Sequence, residues 1–144
     1  MIEPDTLRLL RECDAGIQMG TGAIRDVIDH VRAPALRDEL NACKSGHEKL
    51  DRQVQALLEQ YQDDGKSPSP MAKGMSWLKT NALLAAGGDD KTVASLITDG
   101  CNMGVKSLSR YLNQYQAADE QSKDIAKRLI ELEHQLCVDI RPSL

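Results

Sequence analysis

Apolar residues recur at steps of three and four along four long stretches of the chain, the period of an α-helix with one buried face. The first stretch runs from about Pro4 to Val31, with Leu7, Leu10, Cys13, Ile17, Ile24, Val27/Ile28 and Val31 in one stripe. The second, from about Pro34 to Tyr61, carries Leu36, Leu40, Cys43, His47, Leu50, Val54, Leu57 and Tyr61 in unbroken alternation of four and three, the seam of a bundle helix. The third, from about Asp89 to Tyr115, has Val93, Ile97, Cys101, Gly104, Leu108, Tyr111/Leu112 and Tyr115. The fourth, from about Asp119 to Ile140, turns Ile125/Ala126, Leu129, Leu132/Glu133, Leu136/Cys137 and Ile140 inward.

Local signals punctuate these stripes. Pro4 and Asp5 suit a first helical turn, and Pro34 forces a break after the first stretch. Asp63 to Pro70 (DDGKSPSP) reads as a loop. A shorter helix is expected over about 70–86, with Met71, Met75, Trp77, Leu78 and Leu83, ended by Gly87-Gly88. The short link between the first two helices makes them an antiparallel hairpin. A crossover of about 25 residues then returns the chain to the first end, as in bundles with one long connection. The expected fold is all-α: one domain over 1–144, a four-helix bundle running up-down-down-up, with an extra short helix in the crossover.

Composition supports this picture and narrows the function. The chain has 144 residues, no Phe, and is rich in helix formers. Its net charge of −4 argues against a nucleic-acid role built on phosphate neutralisation. No apolar run approaches the roughly 20 residues of a membrane span. Met1-Ile2-Glu3-Pro4-Asp5 lacks the basic and apolar regions of a signal peptide, so the cytoplasm is the expected compartment. Cys13, Cys43, Cys101 and Cys137 form no CxxC; in a reducing compartment they read as small buried hydrophobes.

Several segments carry a likeness to a known superfamily. They are Ala33-Pro34-Ala35-Leu36 at the first turn, Pro70-Met71-Ala72-Lys73-Gly74-Met75-Ser76-Trp77 in the crossover, Asp99-Gly100-Cys101-Asn102-Met103-Gly104, and Leu129-Ile130-Glu131-Leu132-Glu133. With the helix order, they make the chain resemble the ferritin-like superfamily, including rubrerythrin-type bundles, and most of all the uncharacterised bacterial ferritin-like domains. The resemblance implies a di-iron centre in which helices 1 and 3 each give an inward Glu and helices 2 and 4 a Glu-x-x-His.

This chain departs from that pattern on every helix. Glu131-x-x-His134 has the right spacing, but at 100° per residue Glu131 points away from the apolar stripe. The inward frame is Glu133-x-x-Leu136. On helix 2, His47 lies on the seam, but Lys44 stands where Glu belongs. On helix 3 the inward position carries Cys101, and helix 1 offers Met19, Gly20 and Thr21. The di-iron site is expected to be degenerate or absent.

A different cluster remains. At 1.5 Å per residue, Cys43, Cys101 and Glu133 fall about 12–18 Å, and His47 about 20 Å, from the helix 1–2 turn, all facing inward. Cys13 and Cys137 fall near opposite ends. Cys43, His47, Cys101 and Glu133 have ligand chemistry suited to zinc or iron, and also to redox or thiol chemistry. The plainer reading is a buried His47–Glu133 hydrogen bond with no cofactor. Gly16-x-x-x-Gly20 and Gly100-x-x-x-Gly104 suggest close approach of helices 1 and 3. Met71, Met75, Trp77 and Leu78 offer an adaptable surface for a protein partner or a second copy. The leading expectation is a non-enzymatic interaction or self-associating module; the alternative is a metal-binding or redox protein using the Cys/His/Glu cluster.

Overall fold

The computed structural model describes residues 2–68 and 88–144. Four long helices account for most of them: α1 (Pro4–Val27), α2 (Pro34–Gln60), α3 (Asp90–Gln114) and α4 (Glu120–Asp139). Short 3-10 turns follow α1 (Ile28–His30) and α4 (Arg141–Ser143). The protein is an all-α bundle, with no strand among the described residues. The helix expected over 70–86 and its Met71, Met75, Trp77 and Leu78 surface lie outside the described residues.

Three of the four helices start where the sequence offers a side-chain partner for a free N–H group of the first turn. Asp89 accepts from the Thr92 N–H at the start of α3, and Asp119 from the Ser122 N–H at the start of α4. Ala33, before α2, has no capping side chain of its own. Asp90 of α3 instead holds the link just ahead of that first turn, accepting from the Arg32 and Ala33 N–H groups at 2.8 and 2.9 Å. This bond brings the start of α3 to the α1–α2 turn. At the other end, Thr6 Oγ1 accepts from the Asp119 N–H at 2.8 Å, and the Asp5 carboxylate from the Ala117 N–H at 3.2 Å. The α3–α4 turn is thereby held at the start of α1. The first helix ends sooner than its stripe suggests: the chain tightens at Ile28 and extends at Val31 to enter α2 through Pro34.

The chain leaving α2 folds back on α1. The carboxylate of Asp14, itself buried, accepts from Gln55 Nε2 and from the Lys66 N–H, both at 2.9 Å. Gly65 permits this at φ +74°; a Cβ there would come within 2.2 Å of Asp14 Oδ2. Arg11 binds the Asp63 carboxylate, and Lys66 Nζ binds Glu12.

The core is divided into two apolar clusters. Ile17, Leu50, Leu108 and Leu129 belong to one, at the end where α1 begins. Ile24, Cys43, Cys101 and Leu136 belong to the other. On every helix the two clusters are seven residues apart at the point of division. What lies between is polar or small: Gly20 and Thr21 on α1, His47 on α2, Gly104 on α3, Glu133 on α4.

The glycines therefore divide by role, which corrects the expectation of bare backbones packed together. A Cβ on Gly20 would meet His47 and Glu133, and one on Gly104 would meet Glu133. A Cβ on Gly16 would touch only the end of Leu108, at 3.9 Å. Gly22 and Gly100 face open space. Alanine at Gly22 or Gly100 should raise stability by about 0.5–1 kcal/mol each, the helix-propensity difference with no steric penalty. Denaturant midpoints of the two variants check this.

Candidate functional site

The layer between the clusters is built around His47, which is 1% exposed. It sits on the α2 seam, so helical phase alone aims its ring into the bundle. Glu133 reaches it from α4, with Nε2 to Oε1 at 2.9 Å. The other ring nitrogen, Nδ1, lies 2.9 Å from the carbonyl of Cys43, one turn earlier on α2. Both partners are acceptors, so both nitrogens donate, and the ring is an imidazolium facing a carboxylate. Burial works against that charge, but the hydrogen bonds the ring donates to Cys43 and Glu133 and the charge of Glu133 outweigh it, and the His47 pKa rises to about 10.

Two thiols flank the pair. The Cys43 sulfur is 3.5 Å from His47 Nδ1 and 3.9 Å from the Leu132 carbonyl, to which its S–H donates. Cys101 lies on the Glu133 side. Burial, then the charge and hydrogen bond of Glu133, push its pKa up and keep it a neutral thiol. Thr21 completes the layer without competing for the pair, since its hydroxyl donates to the Ile17 carbonyl at 3.0 Å.

Space for the two side chains comes from the glycines. A Cβ on Gly20 would stand 2.9 Å from His47 Nε2 and 3.2 Å from Glu133 Oε1. A Cβ on Gly104 would stand 3.4 Å from Glu133 Cδ. The helices α2 and α4 supply the ion pair, and α1 and α3 supply the room for it. Spacing within one helix does not reveal this, because the occupants come from other helices. Comparing heights across all four stripes does reveal it.

All four sequence-derived candidates, Cys43, His47, Cys101 and Glu133, are buried in the middle of the bundle. They do not converge on one point. Cys43 and Glu133 meet opposite nitrogens of one imidazole, so no single ion reaches both through that ring. Among the described residues no three His, Cys, Asp or Glu side chains are arranged to hold a metal ion. Nor are the di-iron ligands that the resemblance implies brought together: Gly20 and Gly104 face the His47–Glu133 pair on α1 and α3, Cys101 is the thiol beside Glu133, and Glu131 and His134 are exposed. Cys13 lies in the other cluster, and Cys137, partly exposed, donates to Asn102 Oδ1 at 3.6 Å. Asp14 is a buried carboxylate that the apolar pattern does not single out. Its partners, Gln55 Nε2 and the Lys66 N–H, lie far along the chain, where no periodicity encodes them.

The raised pKa of His47 makes stability depend on pH. Below about 6.5 the ring is protonated folded or unfolded, and the stabilisation is whole. Above it the unfolded chain releases the proton and the folded chain keeps it, so stability falls until pH reaches about 10. The slope is at most about 1.4 kcal/mol per pH unit for one proton. Urea unfolding at pH 6.5, 7.5 and 8.5 should show the fall, and His47→Leu with Glu133→Gln should flatten it. Above pH 9 the unfolded-state thiols join in, because burial raises folded Cys13 to about 12 and raises Cys101 too.

No helix among the described residues is long and apolar enough to cross a membrane. The chain is similar to a crystal structure of a DUF305 fragment from Deinococcus radiodurans, with a TM-score of 0.76 over 98% of this chain and 95% of that one. Sequence identity is 11%, so the likeness concerns the fold alone. No family model matches the sequence, and no curated protein matches it.

Proposed function

We propose that this chain is a ferritin-like bundle, up-down-down-up with its crossover between α2 and α3, that works by binding a protein partner or a second copy of itself and not by catalysis. The observation that carries this reading is the closed central layer. Both nitrogens of His47 are bonded, one to Glu133 and one to its own helix, and Gly20 and Gly104 face the pair with no side chain that could act as a ligand. The layout rests on the Asp90 bonds at the α1–α2 turn and the Thr6 and Asp5 bonds at the α3–α4 turn. The contact role rests on Met103, 70% exposed on α3, an adaptable apolar side chain facing water. Free thiols at all four cysteines suit the cytoplasm.

Sedimentation equilibrium at micromolar concentrations tests the self-association arm. A dimer or larger species weakened by Met103→Glu is expected. A monomer indifferent to Met103→Glu, with no partner recovered by cross-linking, counts against the reading.

A second reading is favoured by one distance. The Cys43 sulfur lies 3.5 Å from the His47 ring, a pairing suited to thiol chemistry. Metal analysis of the purified protein separates the metal form of this reading from the first. Stoichiometric zinc or iron that is lost on His47→Ala supports it, and a metal-free protein of full stability supports the first.

A further inference from the structure

Cys43 is the most exposed of the three buried thiols and lines a surface groove. A groove holding about 350 Å3 of space runs between α2 and α4, lined by Asp38, Glu39, Asp139, Cys43, Leu132 and Leu136. Cys43 and Leu136 are its deeply buried members, 7% and 3% exposed, so they form its inner side. Its outer walls are acidic. Burial, and after it the charge of Asp139, pushes the Glu39 carboxyl up. Behind the sulfur stands the His47 ring, held by Glu133. This gives a nucleophile, a cationic neighbour and a carboxylate that orients it, in a line leading in from the groove. Cys13 is 0% exposed in the other cluster, and Cys101 is 3% exposed behind Glu133.

This inference deepens the thiol reading above and rests on it. We propose that Cys43 is a covalent modification site for uncharged or cationic soft electrophiles, the α,β-unsaturated carbonyls being the model class, entered through the α2–α4 groove and screened by its acidic walls.

The step balances without an oxidant. The Cys43 thiol proton passes to water in the groove, and His47 stabilises the thiolate left behind. The sulfur attacks the β-carbon, a carbon–sulfur bond forms, and the π pair moves to the carbonyl oxygen as an enolate. The α-carbon then takes a proton from water, so the thiol has added across the double bond. Asp38, Glu39 and Asp139 repel an anionic reagent from the same path.

The test is native alkylation by N-ethylmaleimide, with the modified cysteines mapped by mass spectrometry and Cys137 as the reference for a partly exposed thiol. Cys43 should react about tenfold or more faster than Cys13 and Cys101, and about tenfold more slowly in a folded His47→Gln variant. A carboxylate-bearing maleimide should react about tenfold more slowly at Cys43, and Asp38→Asn, Glu39→Gln and Asp139→Asn together should remove that preference. A rate unchanged by His47→Gln would sink the thiol reading itself. A His47-dependent rate that is equal for neutral and anionic reagents would sink the groove assignment alone. Reaction of Cys43 in step with Cys13, the signature of global unfolding, would overturn both. The comparison of reagents uses the wild-type protein, so it holds even if the variant fails to fold.

Discussion

Glu133→Leu should lower the unfolding free energy by about 3 kcal/mol at pH 7, because it leaves the His47 charge buried with no counter-charge. The ring is 1% exposed and cannot turn to water. It either keeps its proton unpaired or gives it up and leaves Nε2 without an acceptor. The same loss should shrink to about 1 kcal/mol when His47→Leu and Glu133→Gln are combined, since a leucine suits the apolar clusters on either side and a neutral amide accepts burial better than a charge. The measurement is a double-mutant cycle in urea, with each single variant alongside. Equal losses for Glu133→Leu and the combined variant would mean that the two side chains are near each other without depending on each other.

Gly20→Ala should destabilise by about 2 kcal/mol, although alanine improves a helix by about 1 kcal/mol wherever there is room for it. Here there is none. The new methyl stands 2.9 Å from His47 Nε2 and 3.1 Å from Cδ2, and the ring is fixed at both nitrogens. Either α1 moves outward or the ion pair opens. Gly104→Ala offers the contrast on α3. Its methyl meets Glu133 at 3.4–3.6 Å, close to ordinary contact, and it should be near neutral. Thermal unfolding of the two variants side by side separates a general intolerance of alanine in the layer from the specific collision at His47.

The four helices were legible because each buries one stripe, and a stripe at steps of three and four has one interpretation. Their ends moved by only a few residues, most at the first helix, where entry into Pro34 tightens the last turn. The His47–Glu133 contact was legible too, because both residues break an apolar seam at matching heights. What the stripes do not carry is anything decided between helices. The glycines of α1 and α3 looked like surfaces for each other, yet Gly20 and Gly104 make way for side chains from α2 and α4. Asp14 breaks no apolar stripe, and it is buried where a loop 52 residues later donates to it. The acidic groove beside Cys43 combines residues of α2 and α4 that share no sequence pattern.

The seven-residue interval that separates the two apolar clusters on every helix has a consequence for assembly. A stripe that repeats every seven positions looks nearly the same after sliding by one repeat, so apolar packing alone barely distinguishes the native alignment from its shifted neighbours. The histidine and its carboxylate end that ambiguity. Slide α2 by one repeat and the imidazolium lands among leucines, while the cavity over Gly20 goes unfilled. Each misaligned state then carries a stranded charge and a void, several kcal/mol above the native one. The central layer thus serves as an index mark that lets four similar rods dock at one height only.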